Sequence, residues 1–295
     1  MKSKKEFLKY VSLCIIAPIL LVASCKNEDI KVNTSKDEVA GLQRVDSLKN
    51  GSYTFYVFKK DTGSFKVGYN ETYIQLKNNA TGKYIEDANL SWKALMHMTD
   101  MSHACPYSDI SKVPNTKTLY KGHFIFIMGS DSLDYWEITY NYVNGADTLA
   151  KVTNRPYVVN PTGRLRYKRF LGSDAAYYYA VLVNPTESNV QVGSNDITAY
   201  LYKQKDLYTF NQVKNYVLEI DPRMPDPSMG NHTSPYNDNL KYDTSAGLYK
   251  GKLNLTMTGF WKINLVVKDS LNNVIKGDSI KGTTTASSLY FEIEF

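Results

Sequence analysis

The sequence predicts an all-β protein, two tandem β-sandwich domains behind a short apolar leader and a flexible tether. Three observations carry this. Beyond the leader, Tyr, Val, Ile, Thr and Phe gather in short runs separated by Asn, Gly, Asp and Ser, the pattern of strands and turns. No stretch outside the leader keeps apolar residues at helical spacing. A series of landmarks also occurs twice in the same order, about 125 residues apart.

The leader comes first. Lys2, Lys4, Lys5 and Lys9 precede an apolar run from Val11 to Ala23, which ends in Val22-Ala23-Ser24-Cys25. The run is too short for a stable membrane span. Small residues before a cysteine resemble the bacterial lipobox. That resemblance implies a signal peptide over 1–24, cleavage before Cys25, a lipidated Cys25 and an anchor in a lipid bilayer. Residues 25–50 are polar and poor in aromatics, as a flexible tether is. Glu28 and Asp29 just after the cysteine resemble the surface-export signal of Bacteroidetes lipoproteins. The expected address is the cell envelope, at the outer membrane, on its periplasmic or its exposed face.

Removing residues 1–24 takes away four Lys and one Glu and lowers the formal charge from +6 to +3. The remaining dense basic stretch, Arg164 to Arg169, is short and gives no footing for nucleic acid. Of the three cysteines, Cys14 lies in the leader and Cys25 is assigned to lipid, so Cys105 has no partner for an internal disulfide. A lone thiol in an oxidising compartment is expected to be buried, paired between chains or bound to metal.

The repeat runs through both domains. Tyr53–Phe58 leads to Phe65–Asn70, as Tyr177–Leu182 leads to Val190–Asn195. Tyr120-Lys121-Gly122 answers Tyr249-Lys250-Gly251, and a methionine follows eight residues after each Tyr, at Met128 and Met257. The strands of Trp136 and Trp261 come next. These landmarks place the domains at 51–150 and 175–295, with a linker over 151–174. Seven or so short strands per domain suit an immunoglobulin-like sandwich, with both Trp between the sheets. Asn144-Gly145 and Asn272-Asn273 are expected hairpin turns.

Between the landmarks lies the chemistry. Met96 to Tyr107 holds three methionines, two histidines and one cysteine, in a chain with eight Met, four His and three Cys. Met224 to Tyr236 repeats the order Met-x4-Met, His, Pro-Tyr. Met96 answers Met224, Met101 answers Met229, and His103 answers His232 after one inserted residue. Thioether, imidazole and thiolate together select soft or borderline ions, copper above all. The candidate ligands are therefore Met96, Met98, Met101, His103, Cys105 and Met128, and Met224, Met229, His232 and Met257. A structural role competes at several. Met96 and Met98 share a strand face with Trp92 and Ala94, and Met128 and Met257 follow apolar strands. His123, opposite Lys252 of the other copy, reads as a surface strand residue.

The second copy, from Arg223-Met224-Pro225-Asp226 through His232, Tyr249-Lys250-Gly251, Met257 and Trp261, resembles the YtkA-like (FixH-related) domain over about 80 residues. The first copy resembles it less closely, with a longer Met128–Trp136 spacing and no Met-Pro. The resemblance implies an extracytoplasmic β-sandwich associated with copper handling. It carries Met224, Met229, His232 and Met257 as candidates, with Met96, Met101, His103 and Met128 opposite.

No His-Glu-x-x-His, Gly-x-Ser-x-Gly, phosphate-loop or dinucleotide fingerprint is present, so no enzyme is expected. The expected function is copper binding by an anchored envelope protein, with another copper-handling or cell-envelope protein as partner. The alternatives are a metal-free adhesion or ligand-binding module, suggested by 24 tyrosines, and haem capture.

Overall fold

The computed structural model describes residues 37–295 except 145–146, 228 and 282–283. The leader, Cys25, the first part of the tether and Gly145 lie outside the described residues. The described chain is all-β, and residues 38–295 form one compact unit.

The first half is a sandwich of a five-stranded and a four-stranded sheet. In the larger sheet Gln43–Asn50, Tyr53–Lys59, Gly68–Asn78, Leu119–Phe126 and Ser111–Lys112 pair in that spatial order. In the smaller one Asn89–His97 lies between Ser102–Ala104 and Tyr135–Asn144, and Asp147–Asn154 pairs beyond. Alternation builds the core. Leu90, Trp92, Ala94 and Met96 point inward from one strand while their neighbours face out. They meet Phe55, Ile74, Phe124, Trp136 and Tyr140 in one buried cluster.

The second half repeats the pairings of eight strands, while Val274–Gly277 and Tyr290–Glu294 share the place of Asp147–Asn154 and Phe210–Gln212 adds to Gly193–Gln204. Tyr167–Leu171, Tyr177–Asn184, Gly193–Gln204, Leu248–Leu255 and Asp238–Asp243 match the larger sheet. Val217–Met224 lies between His232–Thr233 and Phe260–Lys268, matching the smaller one. One difference follows from strand length. Asp238–Asp243 also reaches Val217 and Leu218, so the second half closes into a single eleven-stranded sheet.

Small devices recur with the strands. Asn70 closes a turn onto the Lys66 and Gly68 carbonyls and accepts from the Lys66 N–H; Asn195 does the same with Gln191 and Gly193. Gly68 and Gly193 sit at φ +100° and +95°, where a Cβ is strained. The Tyr120 hydroxyl accepts from Ala88 N–H, and the Tyr249 hydroxyl from Tyr216 N–H.

Two boundaries differ from expectation. The tether ends earlier, because Gln43–Asn50 is an edge strand and Val39 and Leu42 pack on Phe58, Tyr73 and Leu119. Glu38 holds the segment down by accepting from the Lys117 and Thr118 amides and the Thr118 hydroxyl. The linker is also partly strand: Val158–Val159 pairs in parallel with Phe65–Lys66, and Tyr167–Leu171 opens the second half.

The halves dock through aromatic rings. Ile125 packs with Tyr179, Val181, Tyr200 and Tyr202 in a buried cluster of its own. His123 is not the surface residue expected from the sequence. It points out of its own sandwich, and the second half covers it. Its Nε2 lies 3.0 Å from the Tyr202 hydroxyl, its ring centroid 4.3 Å from that of Tyr200 and 5.3 Å from that of Tyr69. Burial pushes its pKa down to about 3, with Glu71 opposing and Lys121 assisting.

Two outcomes follow. Gly122→Ala places a Cβ 2.5 Å from the Trp92 ring, and Gly251→Ala drives one into the Asp238 carbonyl. Each variant is expected to lose about 1–3 kcal/mol in urea unfolding, the range for overpacking. His123 titrates lower when folded than unfolded, so the unfolded chain binds the extra proton between pH 6.5 and about 3. Stability is therefore full above this window and falls as pH drops through it, by at most roughly 5 kcal/mol at about 1.4 per unit. His123→Gln should flatten that part of the pH–stability curve.

Candidate metal site

The site of the first half begins with strand register. Met96 is fully buried, paired with His103 on one side and Trp136 on the other. The Met98 N–H donates to the Met101 carbonyl and closes the hairpin, which leaves Met98 half-buried and Met101 exposed. His103 returns on the next strand, 8% exposed.

Both ring nitrogens have close polar neighbours. Nδ1 lies 2.9 Å from the Ala104 carbonyl oxygen, which can only accept, so Nδ1 carries the proton. In the neutral ring Nε2 then presents its lone pair, the form in which imidazole binds a metal. Nε2 faces the Met128 sulfur at 3.2 Å. A thioether has no proton to give, so two lone-pair donors point at one place. Trp136 completes the group. Its ring meets His103 edge-on at 5.5 Å between centroids, and its Nε1–H donates to the Met128 carbonyl at 2.9 Å.

The second half keeps the frame and opens it. Met224 is buried and paired with His232, and the Trp261 Nε1–H donates to the Met257 carbonyl at 3.0 Å. The Met224 methyl packs close above Gly259. His232 is exposed, its Nε2 lies 3.4 Å from the Thr256 hydroxyl, and its ring is 6.4 Å from Trp261. Met229 is 42% exposed, its carbonyl accepting the His232 N–H, and Met257 is half-buried against the core.

The structure therefore brings together His103 and Met128, with Trp136, and places His232 beside Thr256 near Trp261. It puts Met96 and Met224 in the cores, with Met98 packed against the first. Cys105 is 1% exposed in the core, and burial holds its thiol far above the usual range. A thiol so buried and so far from ionising makes a poor ligand. Among the described residues no three His, Cys, Asp or Glu side chains converge. The chemistry on offer is that of imidazole nitrogen and thioether sulfur, suited to a soft ion of low coordination number. The two Trp were read from the sequence as core alone. Each also lies beside the candidate histidine of its half, with centroids 5.5 Å apart for Trp136 and His103 and 6.4 Å for Trp261 and His232. Cys105 should not react with a thiol reagent in the folded chain, and its labelling rate should follow the unfolding rate.

Comparison with known proteins adds little. No family model and no curated protein matches the chain. Among solved structures, that of FdeC, an Escherichia coli adhesin, is similar at 14% identity with a TM-score of 0.26. The alignment covers 84% of this chain and 65% of that one. At this distance the architecture rests on the strand pairings described above.

Proposed function

We propose that the chain is an anchored cell-envelope lipoprotein that binds copper through its Met/His segments, for sequestration or delivery. One observation carries the reading: the buried His103 turns Nε2 to the Sδ of the half-buried Met128 at 3.2 Å. In the neutral ring with its proton on Nδ1, Nε2 turns a lone pair toward that sulfur, and a soft cation held there would take both donors. Monovalent copper accepts thioether and imidazole, and neither must lose a proton to bind it. The recurrence of the Met–His register in the second half supports the same chemistry there. The lipobox-like Val22-Ala23-Ser24-Cys25 supports anchoring by lipid on Cys25.

The test is copper(I) stoichiometry of the full chain in detergent, reduced and anaerobic, against a competing chromophoric chelator. One or two ions held tighter than roughly micromolar are expected. His103→Asn with Met128→Leu and His232→Asn with Met229→Leu should together bring the count to zero, with the chain still folded. A folded native chain that binds none overturns the reading and leaves a metal-free adhesion or ligand-binding module in its place.

A further inference from the structure

The two donor groups share a frame but not their surroundings. In the first half the segment after Met101 crosses from one sheet to the other. Ser102–Ala104 pairs with Asn89–His97, and Ser108 N–H then donates to the His123 carbonyl of the opposite sheet. The second half lies against this crossing. Ala104 N–H donates to the Leu207 carbonyl at 2.9 Å, and the Ser102 and Tyr208 hydroxyls are 3.1 Å apart. His103 sits between those two contacts, its strand held by Met96 on one side and by the Leu207–Tyr208 turn on the other.

Among the described residues the equivalent segment of the second half has no such cover. Tyr107 is half-buried, whereas its counterpart Tyr236 is 89% exposed. His232 and Met229 are exposed where His103 is buried. The buried Ser234 hydroxyl, in the place of the Cys105 thiol, has no hydrogen-bond partner among the described residues.

We propose that the two sites are unequal by design of the docking. The first-half site, His103 and Met128 under Trp136, is a closed holding site that the second half shuts. The second-half site, the exposed His232 beside Thr256 with Met229 exposed on the same hairpin, is an open site that exchanges a monovalent soft ion with outside acceptors. This rests on the copper reading and specifies how each site is used.

The experiment follows transfer of copper(I) from the loaded full chain, in detergent, to an excess of chromophoric chelator by stopped flow. Two phases are expected. His232→Asn with Met229→Leu removes the fast phase. Met128→Leu, which keeps the volume at a half-buried position, removes the slow one. Tyr208→Phe deletes one contact of the clamp and accelerates the slow phase about fivefold, the scale of a single hydrogen bond. Release of both ions at one rate, or a fast phase lost with Met128→Leu, overturns the division between the sites while leaving copper binding intact. A folded chain that binds no ion overturns both.

Discussion

Each half depends on where one buried indole finds an acceptor. Trp136 and Trp261 have no solvent exposure, so each Nε1–H must bond within the protein. Leaving it unmet would cost about 1–3 kcal/mol. The acceptors are the carbonyls of Met128 and Met257, just past the ends of matching strands. The bond survives a difference in loop length, since eight residues separate the partners in one half and four in the other. The constraint is therefore the bond rather than the loop. It fixes a methionine beside the tryptophan, and strand register sets the next Met–His pair alongside. The donor geometry follows from building the core.

The second organising feature is the joint between the halves. Tyr69 stacks on Tyr200, and His123 reaches Tyr202, so a sheet face that would be wet in an isolated sandwich is covered. A neutral imidazole suits this place. It fills an aromatic gap and accepts or donates one bond, and the charged form is driven out by burial. The same joint bears on the candidate site, because the crossing segment that carries His103 also forms part of the docking surface.

Much of this was legible in the sequence. The alternation of Leu90, Trp92, Ala94 and Met96 announces a half-buried strand, and the structure buries all four. The one-residue insertion before His232 did not hide its match to His103, because the hairpin absorbs it and both histidines pair with the corresponding Met. Other features could not be read. Gln43–Asn50 is polar because it is an edge strand with only Leu48 against the core, so its composition is that of a tether. The alternation correctly turns His123 away from its own core, but one strand's pattern cannot report what covers the outer face. Cys105 lies within a polar and sulfur-rich stretch, and only the crossing of sheets explains why it is buried. The Trp residues look like core because they are core; that each also donates to a Met carbonyl and lies beside a His ring is visible only in the fold.

The asymmetry between the halves reduces to a few substitutions at matched positions. Glu71 pairs in register with His123, and Asp196 with Lys252 in the same place. Tyr69 becomes Ser194 and Ile125 becomes Asn254 by the same register. In the first half Tyr69, His123 and Ile125 make an aromatic and apolar face that the second half covers, with Glu71 paired to Lys60 and Lys121 beside it. In the second the matched side chains make an exposed Lys252–Asp196 pair, and Asn254 turns its amide to the Pro235 carbonyl. Exposed ion pairs of this kind contribute little to stability, and burying one would cost far more than it returns. The outward face thus decides which Met/His segment is covered and which is open, although both rest on the same indole bond. Two halves of matching strand order acquire different access to solvent from residues on their outward sheet faces.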